Sequence, residues 1–175
     1  MSKSLLVAIL AFLFCGPSMA NTQLPASLLR DAPELRLLGK GEMRWFGLHI
    51  YDATLWATGS SWSAEQLYAL AIEYAREISA KQLIDSSIAE MRRLGTKDED
   101  KLARWGGALT RVFPDVKRGD RIVGVHLPGK GASFYHQGRP TGSIDDNEFA
   151  ETFFAIWLDP RTREPALRKA LLGQQ

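Results

Sequence analysis

The sequence predicts an α+β domain, and three patterns lead to that prediction. Residues 67–76 alternate between large and small side chains, which is the two-residue period of a strand. Residues 79–82 have the form of a helix-capping box and precede apolar residues at helical spacing. Predicted strands come before, between and after the predicted helices, without regular strand–helix alternation. This order is typical of the α+β class.

Three strands are predicted before the first helix. Residues 42–57 are rich in aromatic and aliphatic side chains and lack helical spacing, so we expect two strands that meet near Gly47, or a bulge at that glycine. In the next strand, residues 67–76, the side chains on one face are mostly small and those on the other face are large. The large face comprises Tyr68, Leu70, Ile72, Tyr74 and Arg76.

Two helices are predicted in the middle of the chain. The first begins at the capping box of residues 79–82 and ends at Gly95. The second covers residues 99–113 and ends before Pro114. Its central Gly106-Gly107 pair predicts a kink or a place where another segment packs closely.

The last part of the chain is predicted to form two strands and two helices. The strands cover residues 121–127 and 132–137 and are joined by a turn-rich connection, and residues 138–142 turn the chain again. One helix covers residues 145–158, and a short one begins at Pro165 and ends at Gly173.

The first twenty residues have the form of a cleavable signal peptide. Lys3 supplies a positive start, residues 5–14 are apolar, and Ser18-Met19-Ala20 places small residues where signal peptidase cuts. The apolar run would span only ~15 Å as a helix, against the ~30 Å core of a bilayer, so no permanent membrane anchor is expected. We expect residues 1–20 to be removed and residues 21–175 to form a single domain in the periplasm or outside the cell.

Composition disfavours several classes of site and partner. The single cysteine, Cys15, lies in the predicted leader, so no disulfide is expected in the mature domain. The three histidines lack metal-ligand spacing, and no metal site or other cofactor is predicted. Once Lys3 is removed, 21 of the 22 basic side chains remain against 20 acidic ones, which disfavours a general nucleic-acid or anionic-membrane binder. The sequence leaves the oligomeric state open.

Seven segments match a known family in order and spacing, from about residue 35 to residue 173. They are Gly39–Arg44, Ile50–Trp56, Tyr74–Ser79, Phe113–Asp120, Gly138–Gly142, Glu148–Leu158 and Leu171–Gly173. Together these segments resemble the chalcone isomerase-like family, and its exported bacterial branch in particular.

The resemblance implies an open-faced β-sandwich, in which an antiparallel sheet carries helices packed on one side. A hydrophobic ligand would lie in a cleft between the sheet and the helices. Plant chalcone isomerases of this family cyclise a chalcone to a flavanone, whereas related plastid proteins bind fatty acids. The fold therefore leaves open whether this chain is an enzyme.

The resemblance also bears on catalysis. Plant isomerases use an arginine and a threonine in the first hairpin, and a tyrosine and an asparagine on the helix that follows a Ser-Gly-Lys-Gln stretch. Arg44 matches the arginine, but Leu83 and Glu90 stand at the tyrosine and asparagine positions. A leucine cannot organise polar contacts around a substrate, so ring closure by the plant mechanism is not expected.

Five residues are candidates for ligand binding: Arg44, Tyr51, Thr54, Tyr74 and Arg76. Fatty-acid-binding relatives hold a carboxylate with the hairpin arginine and a tyrosine, and Arg44 and Tyr51 match that pair. Thr54 is one of three possible matches to the isomerase threonine, beside Tyr51 and Trp56. Arg76, with Tyr74 on its face, is a second candidate anion site. A salt bridge at the sheet edge is the alternative role for each arginine.

The leading hypothesis is a periplasmic protein that binds a small amphipathic ligand, such as a fatty acid, with Arg44 at the polar end. One alternative is an enzyme acting on an unknown hydrophobic substrate. Another is an accessory factor of a membrane system, in which side chains fill the cleft. An open cleft on which Arg44 and Tyr51 converge would favour the first hypothesis.

The predicted leader is tested by N-terminal sequencing of the exported protein. We expect the mature chain to begin at Asn21, because signal peptidase cuts after the small residue Ala20. Recovery of a chain that still begins with Met1 from the membrane fraction would contradict cleavage.

Overall fold

Six antiparallel strands follow one another across a single sheet in chain order. The computed structural model describes residues 24–174, so the predicted signal peptide lies outside the described residues. The strands are β1 (Arg36–Trp45), β2 (Leu48–Ala57), β3 (Tyr68–Tyr74), β4 (Arg121–Leu127), β5 (Gly131–His136) and β6 (Arg139–Ile144). The predicted α+β class with an antiparallel sheet is confirmed.

Five helices in residues 24–174 lie against the sheet, four of them on one face. Within the described residues they are α1 (Ala26–Asp31), α2 (Ala80–Leu94), α3 (Glu99–Leu109), α4 (Asn147–Leu158) and α5 (Pro165–Leu171). Buried side chains of α2 to α5 share one core with the larger face of the sheet, whereas α1 packs on the opposite face. No helix in residues 24–174 is both long enough and apolar enough to cross a bilayer.

The predicted capping box at the start of α2 is confirmed. The Ser79 hydroxyl accepts a hydrogen bond from the Gln82 backbone N–H at 3.3 Å, and the Gln82 side chain accepts one from the Ser79 backbone N–H at 3.0 Å. The helix ends at Gly95, whose φ of +133° suits a glycine. Local capping thus determines both ends of α2.

The second predicted helix is shorter than expected. α3 ends at Leu109 rather than at Phe113, and residues 110–112 continue as turns. It runs through Gly106 and Gly107 without a break. A Cβ on Gly106 would lie 3.8 Å from the Ile88 side chain of α2, which is an ordinary packing distance.

The sequence interpretation missed one strand and one helix. Residues 138–142 were expected to be a turn, but the turn is confined to Gln137 and Gly138, and β6 follows at once. A proline is tolerated in β6 because the strand lies at the edge of the sheet. The helix α1 was not predicted, and β1 begins at Arg36 rather than at residue 42.

The predicted alternation along β3 separates two cores. Leu70, Ile72 and Tyr74 pack with the helices, whereas Ala69 and Ala71 contribute to a second cluster on the other face. The small alanines allow the N-terminal segment to pack on that face, where Leu24 and Leu28 are buried among others of the cluster. The face opposite the main helices is therefore partly covered.

Two glycines of β1 allow α5 to lie directly on the sheet. A Cβ on Gly39 would come within 2.1 Å of the Ala170 carbonyl oxygen, and one on Gly41 within 2.8 Å of the Leu167 side chain. Since backbone cannot retreat as a flexible side chain can, only glycine fits at position 39.

We expect Gly39→Ala to lower the free energy of unfolding by ~1–3 kcal/mol, because the added methyl group forces α5 away from β1. Gly107→Ala is the matched control, since a Cβ there has no neighbour within 4 Å. The control should raise stability by up to ~1 kcal/mol, through helix propensity alone. Urea unfolding of both variants measures the difference, and equal effects would contradict the close packing of α5.

Candidate functional site

A cleft with a volume of about 750 Å³ opens between the sheet and the helices α2 and α4. This volume is within the ~300–1,000 Å³ typical of small-molecule sites. Apolar side chains form most of its surface. They include Leu70 and Ile72 of β3, Ile122 of β4, Phe134 of β5, Leu83 of α2, and Phe153, Ile156 and Trp157 of α4.

Polar and charged groups also line the cleft. Ser86 and Ser87 lie on α2, and Ser87 donates its hydroxyl to the Leu83 carbonyl at 2.8 Å. The charged and amide side chains of the lining are Arg76, Glu77, Gln82, Glu90, Arg163 and Glu164. An apolar interior with a few polar groups suits an amphipathic ligand.

Two tyrosines from neighbouring strands lie side by side in the cleft. Tyr51 of β2 and Tyr74 of β3 are directly opposite each other in the ladder, and their rings meet edge to face with centroids 6.2 Å apart. Trp157 of α4 donates its indole N–H to the Tyr51 hydroxyl at 3.0 Å. The Tyr74 hydroxyl has no hydrogen-bond partner among residues 24–174, although the residue is 5% exposed.

Burial widens the pH range in which both hydroxyl groups are protonated, a range that already includes neutral pH. Desolvation raises the pKa of Tyr51 to about 12, and the bond from Trp157 only partly opposes this shift. Desolvation likewise raises the pKa of Tyr74 above its ordinary value. Each hydroxyl can therefore donate a hydrogen bond to an acceptor atom in the cleft.

Arg76 lies on the cleft lining and makes no salt bridge within the part of the chain that the structure describes. The nearby Glu90 is already neutralised, because its carboxylate is 2.8 Å from Arg93 Nε and 2.9 Å from Arg163 Nε. Glu73 of β3 pairs with Arg121. Arg76 is therefore available to an anionic group of a ligand.

The structure places Arg44 outside the cleft lining. Its neighbours Met43 and Trp45 line the cleft, whereas the Arg44 side chain is 51% exposed and lies 2.7 Å from Glu42. Its guanidinium also donates to the Gly47 carbonyl at 3.2 Å. The ladder shifts register between Met43 and Arg44, but this shift does not turn Arg44 towards Tyr51. Arg44 and Tyr51 therefore do not converge on the cleft, since only Tyr51 is part of its lining.

Thr54 also lies away from the cleft. It is 4% exposed and stands opposite Ala71 of β3, which belongs to the cluster on the other face of the sheet. Of the five candidates, the structure brings Tyr51, Tyr74 and Arg76 together on one cleft. Their role in binding stays a prediction.

Two residues that match catalytic positions of the plant isomerases in sequence line the same cleft. Leu83 and Glu90, which stand at the isomerase tyrosine and asparagine positions, both face it from α2. Sequence reasoning missed Trp157 as a polar partner, because its position on the apolar stripe of α4 suggested only core packing. A buried indole N–H needs an acceptor, and this requirement could have indicated a hydrogen bond from Trp157.

One group in the described range has the spacing of metal ligands. Glu42, His49 and Asp52 each offer a ligand atom, and these atoms lie within 4.8 Å of one another. Arg44 already holds the Glu42 carboxylate through two contacts, at 2.7 and 3.1 Å. The group is on the exposed hairpin away from the cleft, and it is better described as a network of surface charges.

Comparison with known proteins agrees with this architecture. The family model described as chalcone isomerase-like matches residues 16–173. No curated protein sequence matches the chain. Among solved structures, a fatty-acid binding protein of Arabidopsis thaliana is similar, with a TM-score of 0.62 and 14% identity. The similarity covers 80% of this chain and 87% of that one, and at this identity it concerns the fold alone.

The tyrosine pair is tested by removing each hydroxyl group in turn. We expect Tyr51→Phe to lower the free energy of unfolding by ~1 kcal/mol, because Trp157 then loses the acceptor of its indole N–H. Tyr74→Phe is the matched control and should change stability by less than ~0.5 kcal/mol, since its hydroxyl has no partner in the described residues. Urea unfolding followed by tryptophan fluorescence measures both. A larger loss for Tyr74→Phe would contradict this assignment.

Proposed function

We propose that this chain, which belongs to the chalcone isomerase-like family, binds a small amphipathic ligand such as a fatty acid in the cleft between its sheet and its helices. One observation carries the proposal. Within the described residues the Tyr74 hydroxyl makes no hydrogen bond and Arg76 makes no salt bridge, and both residues lie on the lining of a largely apolar cleft. Such a combination suits a molecule with one polar end.

The polar end of the ligand is assigned to Arg76 and Tyr74. A guanidinium can give two parallel N–H donors to a carboxylate, and the tyrosine hydroxyl adds a third donor. Arg44 is a weaker choice than the hairpin match suggested, because its charge is already balanced by Glu42 outside the cleft. The polar end therefore lies where β3 ends.

The apolar tail would follow the larger face of the sheet. From Tyr74, β3 presents Ile72 and then Leu70 to the cleft, and four strand residues span ~13 Å. Aromatic side chains of α4, among them Phe153 and Phe154, form the opposite wall. The likeness in fold to a plant fatty-acid binding protein supports a ligand of this class.

Catalysis of ring closure has less support than binding. Leu83 has no polar group, and the carboxylate of Glu90 is engaged by Arg93 and Arg163. An accessory role with a filled cleft has less support as well, because about 750 Å³ is open.

We further propose that binding takes place in the periplasm or outside the cell. The support is the leader pattern of residues 1–20, with its positive start, apolar run and small residues before the cut. A binding protein in that compartment would carry lipid-like molecules through water.

The polar end is tested by oleate binding to single variants, measured by displacement of a fluorescent fatty acid. We expect Arg76→Ala to weaken binding by about tenfold, or ~1.4 kcal/mol, because a charge-assisted hydrogen bond is lost. Arg76→Lys should recover only part of the affinity, since an ammonium group lacks the two-pronged geometry. Tyr74→Phe should weaken binding by about three- to tenfold.

Arg44→Ala is the matched control, because it removes the same charge from outside the cleft. Its affinity should equal that of the wild type. Loss of binding in Arg44→Ala but not in Arg76→Ala would move the polar end to the hairpin. Failure of the wild-type protein to bind oleate would refute the fatty-acid proposal.

A further inference from the structure

The turn between β1 and β2 carries the largest exposed apolar side chains of residues 24–174. We call Trp45, Phe46, Gly47 and Leu48 the hairpin tip. Phe46 is 90% exposed, Leu48 54% and Trp45 51%. Together these side chains expose roughly 450 Å², judging from the area of large apolar side chains. An exposed patch of this size is often functional in a soluble protein.

The backbone of the hairpin tip adds a second argument. Phe46 has a φ of +48° and Gly47 one of +80°, which places both residues in the left-handed region. Two-residue turns of this kind favour asparagine followed by glycine, and a bulky aromatic residue there is uncommon. Phe46 thus has an unfavourable backbone conformation and also exposes a large apolar side chain to water. Neither helps folding, so a contact outside the chain is the better explanation.

The hairpin tip stands beside the mouth of the cleft. Trp45 lines the cleft together with Met43 and Ile50 of the same hairpin. The Ala75 backbone N–H donates to the Ile50 carbonyl at 2.9 Å, which brings Arg76 next to the hairpin. A surface that contacted the tip would therefore also face the opening of the cleft.

Unpaired cations lie at the same end of the sheet. The loop between α3 and β4 is tied to the end of β3, since the Gly119 N–H donates to the Tyr74 carbonyl at 2.7 Å. Lys117 and Arg118 of this loop are exposed and, like Arg76, make no salt bridge in the described residues. Glu77 and Asp115 are exposed carboxylates of the same region that likewise lack a salt bridge in the described residues, and Asp52 and Asp120 pair with histidines. Net charge therefore does not select the partner, but the cations can contact phosphate groups.

We propose that the hairpin tip docks on a lipid bilayer. Trp45, Phe46 and Leu48 would enter the interfacial region, where amphipathic and aromatic side chains are favourable, while the cations contact lipid phosphates. A protein partner is less well supported, because the tip is smaller than the ~800 Å² per partner that a stable interface buries. Docking is independent of the ligand. Only the further step, exchange of the ligand between bilayer and cleft, rests on the proposed function.

The experiment is co-sedimentation of the exported protein with phosphatidylcholine vesicles that contain phosphatidylglycerol. We expect wild-type protein to bind, and the double variant Phe46→Asn with Leu48→Ser to bind at least about tenfold more weakly. Asparagine suits the left-handed turn, so folding should be preserved or improved, and thermal unfolding checks this. Leu37→Ser is the matched control, because Leu37 is 53% exposed at the far end of β1. Its vesicle binding should be unchanged.

A second pair of variants tests the charges. Lys117→Gln with Arg118→Gln should weaken binding to the anionic vesicles and reduce its dependence on salt, whereas binding to pure phosphatidylcholine should change little. A variant that binds both vesicle types as tightly as the wild type does would contradict the contact between these cations and lipid phosphates.

Other outcomes are equally decisive. Absence of wild-type vesicle binding would overturn docking, as would an equal loss in Leu37→Ser. If the wild-type protein forms a dimer and binds no vesicles, and the Phe46→Asn variant is a monomer, the tip is an interface between two copies of this chain. Oleate affinity measured in solution separates the two proposals: the tip variant should retain it. Vesicle binding by a wild type that does not bind oleate would leave docking standing and refute the proposed function alone.

Discussion

The two-residue period of β3 is the constraint on which the rest of the structure depends. Because successive side chains point to opposite faces, Leu70, Ile72 and Tyr74 all turn to the helices, and the alanines between them turn away. The small face admits the N-terminal segment, and the large face forms the floor of the cleft. Antiparallel pairing then sets Tyr51 directly opposite Tyr74. A shift of β3 by one residue would send Tyr74 to the wrong face.

The cleft combines an apolar interior with charged side chains, some of which are paired with one another. Glu90 would be costly on such a lining if it were unpaired, and two arginines neutralise it at 2.8 and 2.9 Å. Arg44 is balanced in the same way by Glu42 on the hairpin. Arg76, which makes no salt bridge in the described residues, lies with Tyr74 near the end of β3, whereas the preceding part of the strand presents the apolar side chains of Leu70 and Ile72 to the cleft. A ligand would be oriented by this asymmetry.

The hairpin of β1 and β2 links the cleft to its surroundings. Its inner side chains, Met43 and Trp45, line the cleft, and its tip exposes Phe46 to solvent. The same hairpin is held at its base by α5, which approaches β1 closely because Gly39 has no side chain. One element therefore carries a rigid base and an exposed apolar end.

Local patterns in the sequence predicted most of the elements, although α1 and β6 were missed. The capping box around Ser79 fixed the start of α2, and the alternation of residues 67–76 gave β3, since neighbouring residues alone decide both. The resemblance of seven segments to the family likewise predicted an antiparallel sheet with helices packed on one side. Tertiary structure alone decided which arginine meets the cleft and that Trp157 would reach Tyr51, 106 residues away in sequence. Strand register and helix docking bring such distant residues together, and neither is written in any short segment.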